Sequence, residues 1–151
     1  MDANYEARSS RVPIPKGSIR KRPVAAFTRL AQTLIGTPER LPEAVLRQHP
    51  QLADVRWRRG GLFPRVAGWC LGERSVAAVT LWRTVYMGAR APISAQLLLH
   101  ELRHVQQFEE SRAFPLLYLW ETLKSGYHRN RFECDAREYA ASCLITHPDN
   151  G

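Results

Sequence analysis

Residues 94–112, SAQLLLHELRHVQQFEESR, contain neither Gly nor Pro and carry His100-Glu101-Leu102-Arg103-His104 in their middle. Pro92 precedes the run and Ser94 is a good N-cap, so the pattern predicts a helix. On a helix, positions i and i+4 lie about 400° apart, and both imidazoles therefore emerge from one face within reach of a single ion. Glu101 sits on the turn between them, where its carboxylate is able to take a proton from a metal-activated water. With 5 His and 10 Glu in 151 residues, H-E-x-x-H should arise by chance about 0.01 times, so a solvent-facing helix with two idle histidines is the weaker reading.

A chain of 151 residues builds one ordinary core, not two. Its 44% hydrophobic and 24% charged residues exclude global disorder, a collagen-like repeat and a disulfide scaffold. Cys70, Cys134 and Cys143 are an odd number at spacings that fit neither a disulfide framework nor a CxxC knuckle, and a reducing cytoplasm is the simplest home. No apolar h-region opens the sequence, so no secretory signal is expected. Ala113 to Trp120, interrupted by Pro115, is too short to span a bilayer.

The net charge of +8 is unevenly placed: residues 1–24 hold six basic and two acidic side chains, half of the excess. Pro13, Pro15, Gly17 and Pro23 punctuate that stretch, which reads as a solvated arm, residues 1–23, able to make a weak polyanion contact with nucleic acid or phospholipid. A single domain over 24–147 is expected to follow.

Within it, 24–35 has helical spacing stopped by Gly36, and a short helix is expected over 38–48 with Thr37 as N-cap and Pro38 at its first position. Val55 to Trp57, Val66 to Cys70 and Val76 to Met87 are rich in β-branched and aromatic residues broken by glycines, and read as a small antiparallel sheet with one or two hairpins. Three helices then follow: the His-containing one, one opened by Pro115 and closed by Gly126, and a last from about Arg131 to Ile145. The fold class is α+β, a small sheet followed by a helical subdomain. Trp57, Trp69, Trp82 and Trp120 are expected in the core or lining the cleft.

A catalytic zinc site needs a third protein ligand. Glu110, six residues after His104, would require a glycine bend where Gln107 stands, and on an unbroken helix it faces away. Glu133 opens an E-x-x-A pattern on the last helix. Ala136 and Ala140 share its face and are small enough for two helices to approach closely. A capping box with Asn130 is the structural alternative for Glu133, and Asp135 and Glu138 are weaker substitutes as ligand. The metal reading is favoured because it also explains both histidines, and Asn130 remains free to cap alone.

The runs LLLHELRHVQQF, FPLLYLWE and GYHRNRFECDAREYA together resemble the small gluzincin-type metallopeptidase domains, which carry H-E-x-x-H followed by a downstream helix of the form G-Y-x-x-N-x-F-E-x-x-A. The resemblance covers roughly Val76 to Ala141. It implies a minimal zincin-like fold, one Zn²⁺ held by His100, His104 and Glu133, Glu101 as general base, and hydrolysis of peptide bonds in a peptide or protein substrate. It also implies that the strand before the first helix, within Ala78 to Met87, lines the cleft and pairs with an extended peptide. Tyr127 and His128 are candidates for stabilising the oxyanion, with Tyr118 a more distant one. The acid that many gluzincins place after E-x-x-A is here Arg137, so support for the ligating histidines has to be built differently; Arg137 also stands one turn from Glu133. Gln107, one turn beyond His104, either orients groups near the ion or is solvated. Two rival classes remain: a non-catalytic zinc-binding or interaction domain, and a basic binder of nucleic acid or membrane surfaces.

Overall fold

The structure, a computed structural model, describes residues 32–70 and 76–146. The basic arm and most of the helix expected over 24–35 lie outside the described residues. Residues 32–35 are helical, and Gly36 at φ +67° ends them. A side chain at Gly36 would place its Cβ 2.5 Å from the Arg59 carbonyl oxygen, so only glycine lets the chain turn closely enough to start a sheet there.

Four short strands, β1 (Thr37–Pro38), β2 (Arg56–Arg59), β3 (Ala78–Leu81) and β4 (Thr84–Met87), form one sheet in the order β1-β2-β4-β3. β3 and β4 make the expected hairpin, and β1 runs antiparallel to β2. β2 and β4 are parallel, however, pairing Trp57 with Val85, so the sheet is mixed instead of wholly antiparallel. A parallel pair needs a crossover, and the chain between these strands supplies one through α2 (Phe63–Cys70) and β3.

Two local expectations are corrected here. Val66 to Cys70 belongs to the helix α2, not to a strand; Pro64 lies in the first turn of α2, where its missing N–H costs nothing, and it is fully buried. Thr37 and Pro38 form β1, and the short helix α1 (Glu43–Gln48) begins only after Pro42. A turn of 3-10 helix, Pro50–Asp54, follows α1, and the carbonyl of Leu52 accepts the Trp57 indole N–H at 3.0 Å.

Three long helices complete the molecule: α3 (Ala95–Glu110), α4 (Phe114–Ser125) and α5 (Arg131–Thr146). The Ser94 hydroxyl caps α3 by accepting from the Leu97 N–H, and Gly126 at φ +77° closes α4, as their sequences predict. Leu98, Leu99, Leu102 and Val105 of α3 pack with Leu52, Trp57, Val85 and Met87 into the core. α5 lies along α3 with Ala136 and Ala140 fully buried, which allows the close approach that the small residues predict. No described helix is long and apolar enough to cross a membrane.

Candidate metal centre

The close α3–α5 contact brings Glu133 over the two histidines. His100 Nε2 lies 3.2 Å from His104 Nε2, and the Glu133 carboxylate spans both rings, Oε2 at 3.3 Å from His100 and Oε1 at 3.1 Å from His104. A tetrahedral zinc site with bonds of about 2.0–2.1 Å separates its ligand atoms by about 3.3 Å. The three side chains thus already stand at the spacing one ion requires, and they are the group among the described residues suited to hold a metal.

The proton inventory makes the same demand for positive charge. Gln107 is buried; its Nε2 donates to the Phe132 carbonyl at 3.1 Å and to Asp135 Oδ2 at 2.7 Å, which leaves its Oε1 to accept from His104 Nδ1 at 2.8 Å. With the proton on Nδ1, the neutral His104 ring turns a lone pair at Nε2 towards a carboxylate oxygen. Two acceptors at that distance need a cation, either a second proton or a metal ion. Glu133 Oε2 is buried and makes no well-aligned hydrogen bond, with the His100 ring nitrogen 3.3 Å away, as a ligand oxygen would be.

The charges respond accordingly. Burial opposes ionisation of His104, but its hydrogen bond to Glu133 and the charges of Glu101 and Glu133 outweigh that and raise its pKa. Burial likewise disfavours the Glu133 carboxylate, yet His100, His104 and the Tyr118 hydroxyl hold it far below the ordinary carboxylate range.

Each neighbouring group has a local reason for its position. Tyr118 donates to Glu133 Oε1 at 2.7 Å, and burial together with that carboxylate keeps the phenol protonated. Tyr118 is held in place by Asn130, fully buried, whose Nδ2 donates to the Tyr118 carbonyl at 3.1 Å and to the Thr122 hydroxyl at 2.8 Å. The Asn130 side-chain oxygen meanwhile accepts from the Phe132 N–H, capping α5 without help from Glu133. The capping-box alternative is thereby removed. Glu101 is buried, and the Thr80 hydroxyl on β3 donates to its Oε2 at 2.6 Å.

His100, Glu101, His104 and Glu133 all line one cavity of about 340 Å³. Its other walls are β3, Phe108, Phe114, Tyr118, Leu119 and Tyr127. Tyr127 is half-buried, and burial followed by the Glu133 charge raises its pKa. His128 is exposed, with its ring 5.5 Å from that of Tyr127, and it is not among the residues lining the cavity. Arg137 donates to the His128 carbonyl at 2.7 Å and reaches Glu133 only at 3.9 Å.

No family model, curated protein or solved structure matches this chain. Asp135 and Glu110, passed over as ligands, both accept from Arg103 at 2.6 Å, and Glu138 is exposed. Arg103 and Gln107 share the Asp135 carboxylate, so one acid joins the outer face of α3 to His104. Sequence reasoning missed Asn130 as the anchor of Tyr118 and Thr80 as the partner of Glu101. Gln107 was signalled by its place one turn beyond His104. Three tryptophans depart from expectation: Trp57 is in the core, while Trp69, Trp82 and Trp120 are 80%, 68% and 67% exposed and are absent from the cavity wall.

Proposed function

We propose that the protein is a zinc-dependent peptidase whose ion is held by His100, His104 and Glu133. The observation that carries this reading is the convergence of those three ligands with a second, non-ligating carboxylate, Glu101, on one wall of a cavity bordered by a sheet edge. Two imidazoles and one carboxylate are the donor set of a catalytic zinc, which keeps a coordination position open. Such an ion, when bound, supplies a Lewis acid and a water whose pKa is drawn towards neutrality.

Glu101 accepts the proton of the attacking water and returns it to the leaving amine. Its Oε2 is engaged by Thr80, which fixes the carboxylate and leaves Oε1 for the proton. Tyr127, protonated and lining the cavity beside the Glu133 carboxylate, is the phenol we assign as donor to the developing oxyanion. Tyr118 has a different task, since its proton is spent on Glu133.

β3 is one of the two outer strands of the sheet, β1 being the other. Gly88 N–H donates to the Ala77 carbonyl, so in the antiparallel alternation Val79 and Leu81 pair with β4 while the backbone groups of Ala78 and Thr80 point outward. An extended substrate strand adds there beside the ion ligands. Because Thr80 also holds Glu101, the strand that receives the substrate is tied directly to the base.

The test compares Glu101→Gln with wild type on a peptide library at matched zinc occupancy. The proposal predicts cleavage by the wild type and loss of at least about 10²-fold in the variant, with metal content unchanged. Stoichiometric zinc with no Glu101-dependent cleavage would make this a non-catalytic metal-binding domain.

A further inference from the structure

The turn between β3 and β4 is Trp82-Arg83, since Leu81 pairs with Thr84. Trp82 has φ +51° and is the one non-glycine residue of positive φ among the described residues. Two-residue hairpin turns take Gly, Asn or Asp at such a position, because a bulky side chain there strains the backbone. The chain instead places a tryptophan there and leaves it 68% exposed. Strain held at a residue that the core does not use points to a task for its side chain.

The surroundings of Trp82 say what that task is. Its ring lies 5.7 Å from the Phe108 ring, tilted by 32°, and Phe108 and Leu81 both line the cavity that holds the ion ligands. Arg83 pairs with Glu109 at 3.5 Å, so the turn rests on the end of α3 with that charge met. Trp82 thus continues the cavity wall outward from Phe108 as an aromatic lip. The contact with Phe108 covers only part of the indole, and the rest stays open beside the cavity.

The place of Trp82 along the strand sets what meets it. A substrate strand added to the edge of β3 passes Thr80, which holds Glu101, and reaches Trp82 two residues later, about 7 Å further on. The scissile bond lies by Glu101, so Trp82 meets a side chain about two residues from that bond. Two aromatic rings and Leu81 offer apolar contact there and no charge, which rewards Phe, Tyr, Trp or Leu and penalises a side chain that must be desolvated.

We infer that Trp82, stacked on Phe108, is a specificity-determining residue that receives a large apolar or aromatic side chain of the substrate. The inference rests on the peptidase reading and on substrate addition to β3.

The test compares the zinc-loaded full chain as wild type, Trp82→Gly and Trp82→Phe on peptides carrying Phe or Gly at the second residue to either side of a central scissile bond. On one side, wild type is expected to cleave the Phe peptide with kcat/KM about tenfold above its Gly counterpart, mostly through KM. Trp82→Gly suits the positive φ, so it is expected to keep zinc content and melting temperature while bringing the two peptides within about twofold of each other. Trp82→Phe is expected to restore most of the preference. Equal cleavage of both peptides by wild type, or a preference that Trp82→Gly retains, overturns the inference and leaves the peptidase reading in place. So does a loss in Trp82→Gly that is the same for both peptides and comes with a lower melting temperature, because Trp82 would then only anchor the turn. Should wild type cleave neither peptide, the peptidase reading fails, and the same peptides, fluorescein-labelled, are titrated against the three proteins. Tighter binding of the Phe peptide that Trp82→Gly abolishes upholds the recognition, and equal binding or none overturns it.

Discussion

At His104, the nitrogen that carries the proton decides whether the ring can hold an ion. Gln107 makes that choice by accepting from Nδ1, and Asp135 and Phe132 fix the amide so that its oxygen faces the ring. This arrangement supplies the histidine support that Arg137, in place of an acid, cannot give. Groups that orient a metal-ligating histidine typically contribute 10–100-fold to affinity. Gln107→Ala is therefore expected to weaken zinc binding by about 10–100-fold in competition with a chelator; unchanged affinity would mean that packing alone orients His104. Glu133 shows how a residue-level ambiguity resolves: E-x-x-A and the capping box compete on paper, and a fully buried Asn130 performs the cap by itself.

At the scale of elements, what was legible is what local periodicity controls. α3 with its Ser94 cap, α4 between Pro115 and Gly126, and α5 with Ala136 and Ala140 on the Glu133 face all follow from spacing, cap and breaker residues. The sheet order does not, because the pairing of β2 with β4 depends on a crossover far along the chain. The β-branched and aromatic run in Phe63–Cys70 misleads for a similar reason: Pro64 starts a helix that tertiary packing then buries on one side. Thr80 was illegible as the partner of Glu101 since that contact requires the register of β3 against α3. Asn130 joins the end of α4 to the start of α5 through three hydrogen bonds. Asn130→Ala should lower the unfolding free energy by about 1–3 kcal/mol in denaturant titration. A change within a few tenths of that unit would show that the turn after Gly126 holds the two helices without it.

For the whole molecule, the metal-free and metal-bound forms should respond oppositely to pH. In the metal-free fold the pKa of His104 is raised above 6.5, so its pairing with Glu133 stabilises fully below that value and is lost as pH rises through the folded pKa. The pKa of Glu133 is lowered from 4.5, so its share is present above that value and is lost as pH falls through the folded pKa. The pair thus supports the metal-free protein best between about pH 4.5 and 6.5. Zinc needs His104 without its second proton, and its binding strengthens as pH rises. The increase in melting temperature on adding zinc should therefore be larger at about pH 8 than at about pH 6; the reverse order would break the link between this pair and the ion.

The claim on which the rest depends is that His100, His104 and Glu133 hold one ion. Metal analysis of the purified full chain, with His104→Ala and Glu133→Ala beside it, tests this most directly. One zinc per chain in the wild type, and loss of most of it in both variants with the fold retained, is the result the site geometry predicts. A wild type that takes up no stoichiometric metal, or a Glu133→Ala protein that holds zinc as tightly as the wild type, would contradict it.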